Sequence, residues 1–84
     1  MNNWDFGTAL GELKAGSRVT REGWNGKDMY LELQVPDAHS KMSWPYIFMK
    51  TVDGALVPWV ASQTDLLADD WGPAAAQDEG HEAR

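Results

Sequence analysis

Two dipeptides, Asn25-Gly26 and Asp53-Gly54, constrain this chain more than any other feature. Asn-Gly and Asp-Gly supply the positive φ angles of tight hairpin turns, and each lies here between runs that read as strands. Arg18–Arg21 and Met29–Leu33 flank the first, with Met29, Leu31 and Leu33 on one face and Tyr30, Glu32 and Gln34 on the other. Around the second, the aromatic and branched run Pro45 to Val52 is joined to Ala55–Trp59. Pro58 lacks a ladder donor, which puts the last strand at an edge or a bend. Ahead of the hairpins, Asp5 is placed to cap a helix over Phe6–Ala15, since Phe6, Ala9, Leu10 and Leu13 recur at i, i+3, i+4 and i+7, and Gly16 ends it. Behind them, Ser62-Gln63-Thr64-Asp65 reads as a capping-box-like start for a short helix running into Leu66 to Trp71. The predicted fold class is α+β: a small antiparallel β-sheet of hairpins with an N-terminal helix and a short C-terminal helix. The stretch from Asp37 to Trp44 has no period and is a loop of functional length.

The 84 residues make one domain, predicted to span 1–72. From Pro73 to Arg84 the chain has no large apolar residue and is expected to be a flexible acidic, Ala-rich tail. A core of about 72 residues supplies ~3–5 kcal/mol unless disulfides, metal or oligomerisation add to it. Cysteine is absent, and the two histidines, His39 and His81, form no ligand cluster, so no metal site is expected. Oligomerisation is left as the stabiliser. Five Trp are more than so small a core readily encloses, and surplus aromatics favour interfaces and ligand pockets.

The formal charge is −6; the tail's three acids and one arginine account for −2 of it, leaving −4 on the domain. Polymeric nucleic acid is excluded as a partner, because its binding needs a basic stripe. A single small diphosphate is compatible with a few local cations and backbone N–H groups. No basic start precedes an apolar run and no stretch approaches membrane-spanning length, so a protein of the cytosol without membrane contact is expected.

The segment Arg21-Glu22-Gly23-Trp24-Asn25-Gly26-Lys27 puts a large aromatic and a primary amide at a turn between glycines and cations. Trp24 offers a stacking face, Asn25 a donor and acceptor for a base edge, and the glycines room for a ligand. The alternative is that Trp24 folds back as a lid on the core. Asp65 is explained by helix capping, yet a carboxylate beside the hydroxyls of Ser62 and Thr64 could equally accept from a ribose or amino group. Asp69-Asp70 reads as a solvated helix end rather than an acid/base pair, since adjacent helical positions diverge by about 100°. His39-Ser40 has no third group to orient it, and no phosphate-binding glycine loop is present. Catalytic residues are therefore none, no cofactor is indicated, and the chemistry is that of binding.

The motifs Arg-Glu-Gly-Trp-Asn-Gly-Lys (21–27), Leu-Glu-Leu-Gln-Val-Pro-Asp (31–37), Met-Ser-Trp-Pro-Tyr-Ile-Phe-Met-Lys (42–50) and Val-Pro-Trp-Val-Ala-Ser-Gln-Thr-Asp-Leu-Leu-Ala-Asp-Asp-Trp (57–71) occur in that order. With them the chain resembles, from about Phe6 to Trp71, the small phage and bacterial family that includes the second type of Thoeris anti-defence protein. That resemblance implies a non-enzymatic sponge: a homo-oligomer, tetrameric in its relatives, that sequesters a cyclic nucleotide immune signal in the bacterial host cytoplasm. The implied ligand is the glycocyclic ADP-ribose of Thoeris TIR signalling, with cyclic dinucleotides of CBASS as further ligands in some relatives. One related protein is an anti-CRISPR, so the alternative function is a protein-binding inhibitor of a host defence enzyme. Ala61 departs from the family pattern, where proline is expected before Ser62. The implied site places Trp24 as stacking wall beside Phe6, Asn25 on the base or ribose edge, and Ser62, Thr64 and Asp65 at the helix start. Lys27 and Arg18 are the candidates for the diphosphate, in a pocket between subunits.

Overall fold

The computed structural model describes residues 3–24 and 28–74. The element order is α1 (Phe6–Lys14), β1 (Val19–Arg21), β2 (Tyr30–Gln34), β3 (Tyr46–Lys50), β4 (Leu56–Pro58), α2 (Gln63–Leu67) and β5 (Trp71–Pro73). The five strands form one antiparallel sheet in the order β4-β3-β2-β1-β5. The α+β architecture is the one expected.

Asp5 caps α1, its carboxylate accepting from the Thr8 N–H at 2.8 Å, and Gly16 follows the helix at φ +100°, a left-handed conformation that glycine adopts without a Cβ penalty. Ala9 and Leu13 of α1 are fully buried together with Val19, Leu31 and Trp71; Ile47 and Met49 pack against this cluster. Because Val19 lies opposite Leu31 and Leu31 opposite Met49, the apolar residues of β1, β2 and β3 line up on the face that α1 covers. On the other face Tyr30 is buried in its turn: the Arg18 guanidinium lies 4.3 Å from its ring centre and the Lys50 ammonium 5.9 Å.

The second hairpin follows the sequence closely. Thr51 N–H donates to Ala55 O at 2.8 Å, Gly54 N–H to Thr51 O at 3.0 Å, and Gly54 takes φ +92°. Its last strand, β4, is an edge, as Pro58 requires. The first hairpin is wider than a two-residue turn. Its strands end at Arg21 and begin again at Tyr30, with eight residues between, so the Asn25-Gly26 signal marks a long connection whose central positions, 25–27, lie outside the described residues.

The largest departure lies after residue 62. The helix expected to run into Trp71 stops at Leu67, and Ala68 is already extended at ψ 152°. Trp71–Pro73 instead pairs with β1, Arg21 opposite Trp71 and Val19 opposite Pro73. Trp71 and Trp4 also exchange backbone hydrogen bonds at 2.9 and 3.1 Å, and Ala74 N–H donates to Arg18 O at 3.1 Å. The open edge of β1 outweighs local helix propensity here, because it satisfies backbone groups that would otherwise lie buried without partners. The expected tail lies outside the described residues from position 75 onward.

Candidate functional site

Trp71 is the hub of the site. Fully buried, it is surrounded by three half-buried aromatics: Trp24 with ring centres 5.3 Å apart and nearly perpendicular, Phe6 at 5.4 Å and Trp59 at 6.1 Å. Its indole N–H donates to the backbone carbonyl of Asp65 at 3.0 Å, tying α2 to the core. Two residues that the sequence proposed for the site, Phe6 and Trp24, thus both pack against a third that it did not. Trp24 folds back toward the core, the lid-like alternative raised by its sequence, while keeping part of its surface exposed.

At the start of α2, Ser62 and Asp65 form a complete capping box: the Ser62 hydroxyl accepts from Asp65 N–H at 3.0 Å, and the Asp65 carboxylate from Ser62 N–H at 3.2 Å. Asp65 does more than cap. Its Oδ1 accepts from the Arg21 guanidinium at 2.9 Å and from the Trp24 indole N–H at 3.4 Å. Arg21 also reaches Asp70, Nε to Oδ1 at 2.8 Å. Asp70 is therefore no solvated helix end: the chain is extended there, and the strand that follows brings its carboxylate against Arg21.

The electrostatics follow from these contacts. Burial pushes the Asp65 carboxyl up, but the Ser62 N–H, the Arg21 guanidinium and the Trp24 indole together outweigh it and hold the group below its ordinary value. Asp70 is held below its ordinary value chiefly by its hydrogen bonds to Arg21. Arg21 is raised, first by Asp70. At neutral pH all three are charged.

Next to this network lies an open cleft of about 360 Å³, lined by Arg21, Thr64, Leu67, Ala68, Asp69 and Asp70. Thr64 is exposed and Leu67, 80 % exposed, forms an apolar rim. Arg18 faces another way: its Nε donates to Glu32 at 2.9 Å, and it lies over Tyr30 on the sheet face opposite α1. Asn25 and Lys27 lie outside the described residues. Ser40 turns its hydroxyl to the Asp37 carboxylate at 3.1 Å and accepts from Asp37 N–H, an arrangement that gives His39 no part in activating it. Among the described residues no group of three or more His, Cys, Asp or Glu is placed to hold a metal ion, and no helix is long and apolar enough to cross a membrane. Arg21 and Asp70 escaped the reading of the sequence as site residues because they are 49 positions apart. The one local signal was Gly23, next to Trp24 and two residues after the cation Arg21.

The Thoeris anti-defense 2-like domain matches residues 4–72 of this chain. The chain belongs to that family. The match runs from Trp4, which bridges to Trp71, to Gly72 within β5, so a Thoeris anti-defense 2-like domain here comprises the whole sheet and both helices. A relative from Bacillus phage SP01, named Thoeris anti-defense 2, is 43% identical over 79 residues, covering 79% of this chain and 89% of that protein. The family suggested by the four sequence motifs is thereby established.

Proposed function

We propose that this protein is a phage-type anti-defence sponge that binds a cyclic nucleotide immune signal in the cytoplasm of the host cell and withholds it without cleaving it. Membership of the Thoeris anti-defense 2-like family supports the anti-defence role. The observation that carries the binding reading is the convergence of the partly exposed Trp24 indole, the hydroxyl-bearing start of α2 and an open cleft on one network around Arg21 and Asp65. Trp24 supplies the stacking surface, and Phe6, like Trp24, packs on Trp71. Ser62 and Thr64 supply hydroxyls for a ribose, and Asn25 and Lys27 remain the proposed contacts to base edge and diphosphate, while Arg18, on the opposite face of the sheet, is dropped as a contact of this cleft. The ligand is glycocyclic ADP-ribose, with cyclic dinucleotides as a second class. Sequestration needs affinity without turnover, and carboxylates held ionised by an arginine are poor proton donors at neutral pH.

The pocket lies between subunits. A cleft of about 360 Å³ is at the small end of ligand sites and this one is open, whereas a good site buries most of its ligand. Its rim carries apolar surface that a second chain would cover: Leu67, which lines it, is 80 % exposed. A homo-oligomer, a tetramer by analogy with the family, closes the site.

The test is a melt with and without glycocyclic ADP-ribose, followed by analysis of what denaturation releases. Ligand at 100 times its Kd stabilises by about 2.7 kcal/mol, which in a domain of this size raises Tm by on the order of 10 °C. The released compound should be intact; a linear product would show hydrolysis. Trp24→Ala should weaken binding by about 10- to 100-fold, the range of one base–aromatic stack. Trp44, 80 % exposed, favours a second reading, a protein-binding inhibitor anchored on a host enzyme. In that case the nucleotide gives no shift and Trp44→Ala removes the inhibition.

A further inference from the structure

We propose that Arg21, Asp65 and Asp70 form a clamp that positions the Trp24 turn against α2, setting ligand affinity through Gly23 and Trp24 rather than by touching the ligand. The proposal deepens the sponge reading of the same site and rests on it for the effect on affinity. The network has a definite connectivity. Arg21, the last residue of β1, forks to Asp70 at 2.8 Å and to Asp65 at 2.9 Å. Each carboxylate also reaches the turn: Asp70 Oδ2 accepts from the Gly23 N–H at 2.8 Å, and Asp65 Oδ1 from the Trp24 indole at 3.4 Å. The main chain also ties the turn to the same strand, Glu22 N–H to Asp70 O at 3.0 Å.

Both anchors are fixed independently of the turn. Asp65 is locked in the capping box of α2, and Asp70 adjoins Trp71, the fully buried strand residue that pairs with Arg21 itself. Within the described part of the turn, Trp24 N–H donates to Arg21 O at 3.2 Å. Gly23 is exposed, and the tie at its own amide is the one from Asp70. Residue 23 is glycine for a related reason: a Cβ there would lie 2.9 Å from Asp70 Oδ2 and 3.3 Å from Arg21 Nη2. The carboxylate that would have to give way is held by the guanidinium and by the Gly23 N–H, so a methyl there would displace it only by breaking those bonds. A turn fixed before binding loses less conformational freedom on binding, and affinity rises accordingly.

The experiment uses the full chain, 15N-labelled, as wild type and as Asp70→Ala, Asp70→Asn and Gly23→Ala. Hydrogen exchange of the Gly23 amide and the Trp24 indole resonance are followed without ligand, and the Kd for glycocyclic ADP-ribose is measured on folded protein by calorimetry. Asp70→Ala should abolish protection of the Gly23 amide, move the Trp24 indole resonance and raise Kd about tenfold or more. Asp70→Asn, which keeps one acceptor, should fall between Asp70→Ala and wild type. Gly23→Ala, judged on the indole resonance and Kd, should resemble Asp70→Ala because its methyl displaces the carboxylate. If Asp70→Ala does not fold, the other two variants carry the test. A merely structural role would lower the melting temperature and leave Kd within twofold of wild type; that result overturns the proposal, as does a Gly23 amide that stays protected in Asp70→Ala. Wild-type protein that binds no nucleotide sinks the sponge reading instead, while the clamp itself is still judged on the Gly23 amide.

Discussion

Trp71→Ala is expected to abolish the cooperative unfolding transition of this domain at room temperature. Trp71 is fully buried, with Phe6, Trp24 and Trp59 around it at ring distances of 5.3 to 6.1 Å. Truncating a core Trp to Ala costs about 3–5 kcal/mol, of which part is the cavity that neighbours fail to fill. The Asp65 carbonyl also loses the indole N–H at 3.0 Å. A domain with a core this small has only ~3–5 kcal/mol in total, so the loss is of the same size as the stability. Far-UV circular dichroism through a urea titration checks the expectation. Trp71→Phe, which keeps most of the volume, should retain a transition at lower urea; a cooperative urea transition for Trp71→Ala near the wild-type midpoint would show that Trp71 is not the centre of the core.

The second large effect is expected at Arg21. Arg21→Ala leaves the Asp65 and Asp70 carboxylates without their cation, and the pairs it removes are only partly exposed, at 14% for the Arg21 side chain against 13% and 27% for the two aspartates. Hydrogen bonds to charged groups are worth about 1.5–3 kcal/mol; with partial solvent screening, a net loss of about 2–3 kcal/mol is expected for the pair of contacts. The melting temperature should fall by on the order of 10 °C. Asp69→Ala, at an exposed neighbouring position, should change stability by no more than about 0.5 kcal/mol.

The pH dependence of the two proteins should differ in a defined sense. Asp65 and Asp70 have folded-state values below the ordinary 3.8. The stability they contribute is therefore complete above the unfolded value and is lost as pH falls through the lowered folded values. Wild type should lose stability on acidification below about pH 4, where unfolded aspartate begins to take up protons. Without the guanidinium, the folded values move back toward the ordinary one, and the acid limb of Arg21→Ala should be shallower. Parallel acid limbs in the two proteins would contradict this account of the ion pairs.

Much of the fold was legible because its causes are local. Asp5, the period of Phe6, Ala9, Leu10 and Leu13, and Gly16 each act within a few residues to start, orient and stop α1. Asp53-Gly54 with Thr51 closes the second hairpin within a turn, and Ser62 with Asp65 opens α2 in the same way. The membership of the four motifs in one family was likewise readable from their order. Trp24 was singled out as a large aromatic between glycines and Phe6 through the family resemblance, and both lie around Trp71.

What the sequence could not determine by itself is set by separation along the chain. Trp71-Gly72-Pro73 contains two of the poorest strand formers and follows a helical pattern, yet it is a strand, because the open edge of β1 and the Trp4 backbone lie beside it. Asp70 looked like a solvated carboxylate and is an ion-pair partner, because pairing of Trp71 with Arg21 carries it to a guanidinium 49 residues away. Local chemistry thus determined where helices start, where the second hairpin turns and which family the chain belongs to. Only the tertiary structure decided which strand completes the sheet and which charges meet, since both depend on contacts whose cost in chain entropy is met only once the core around Trp71 has formed.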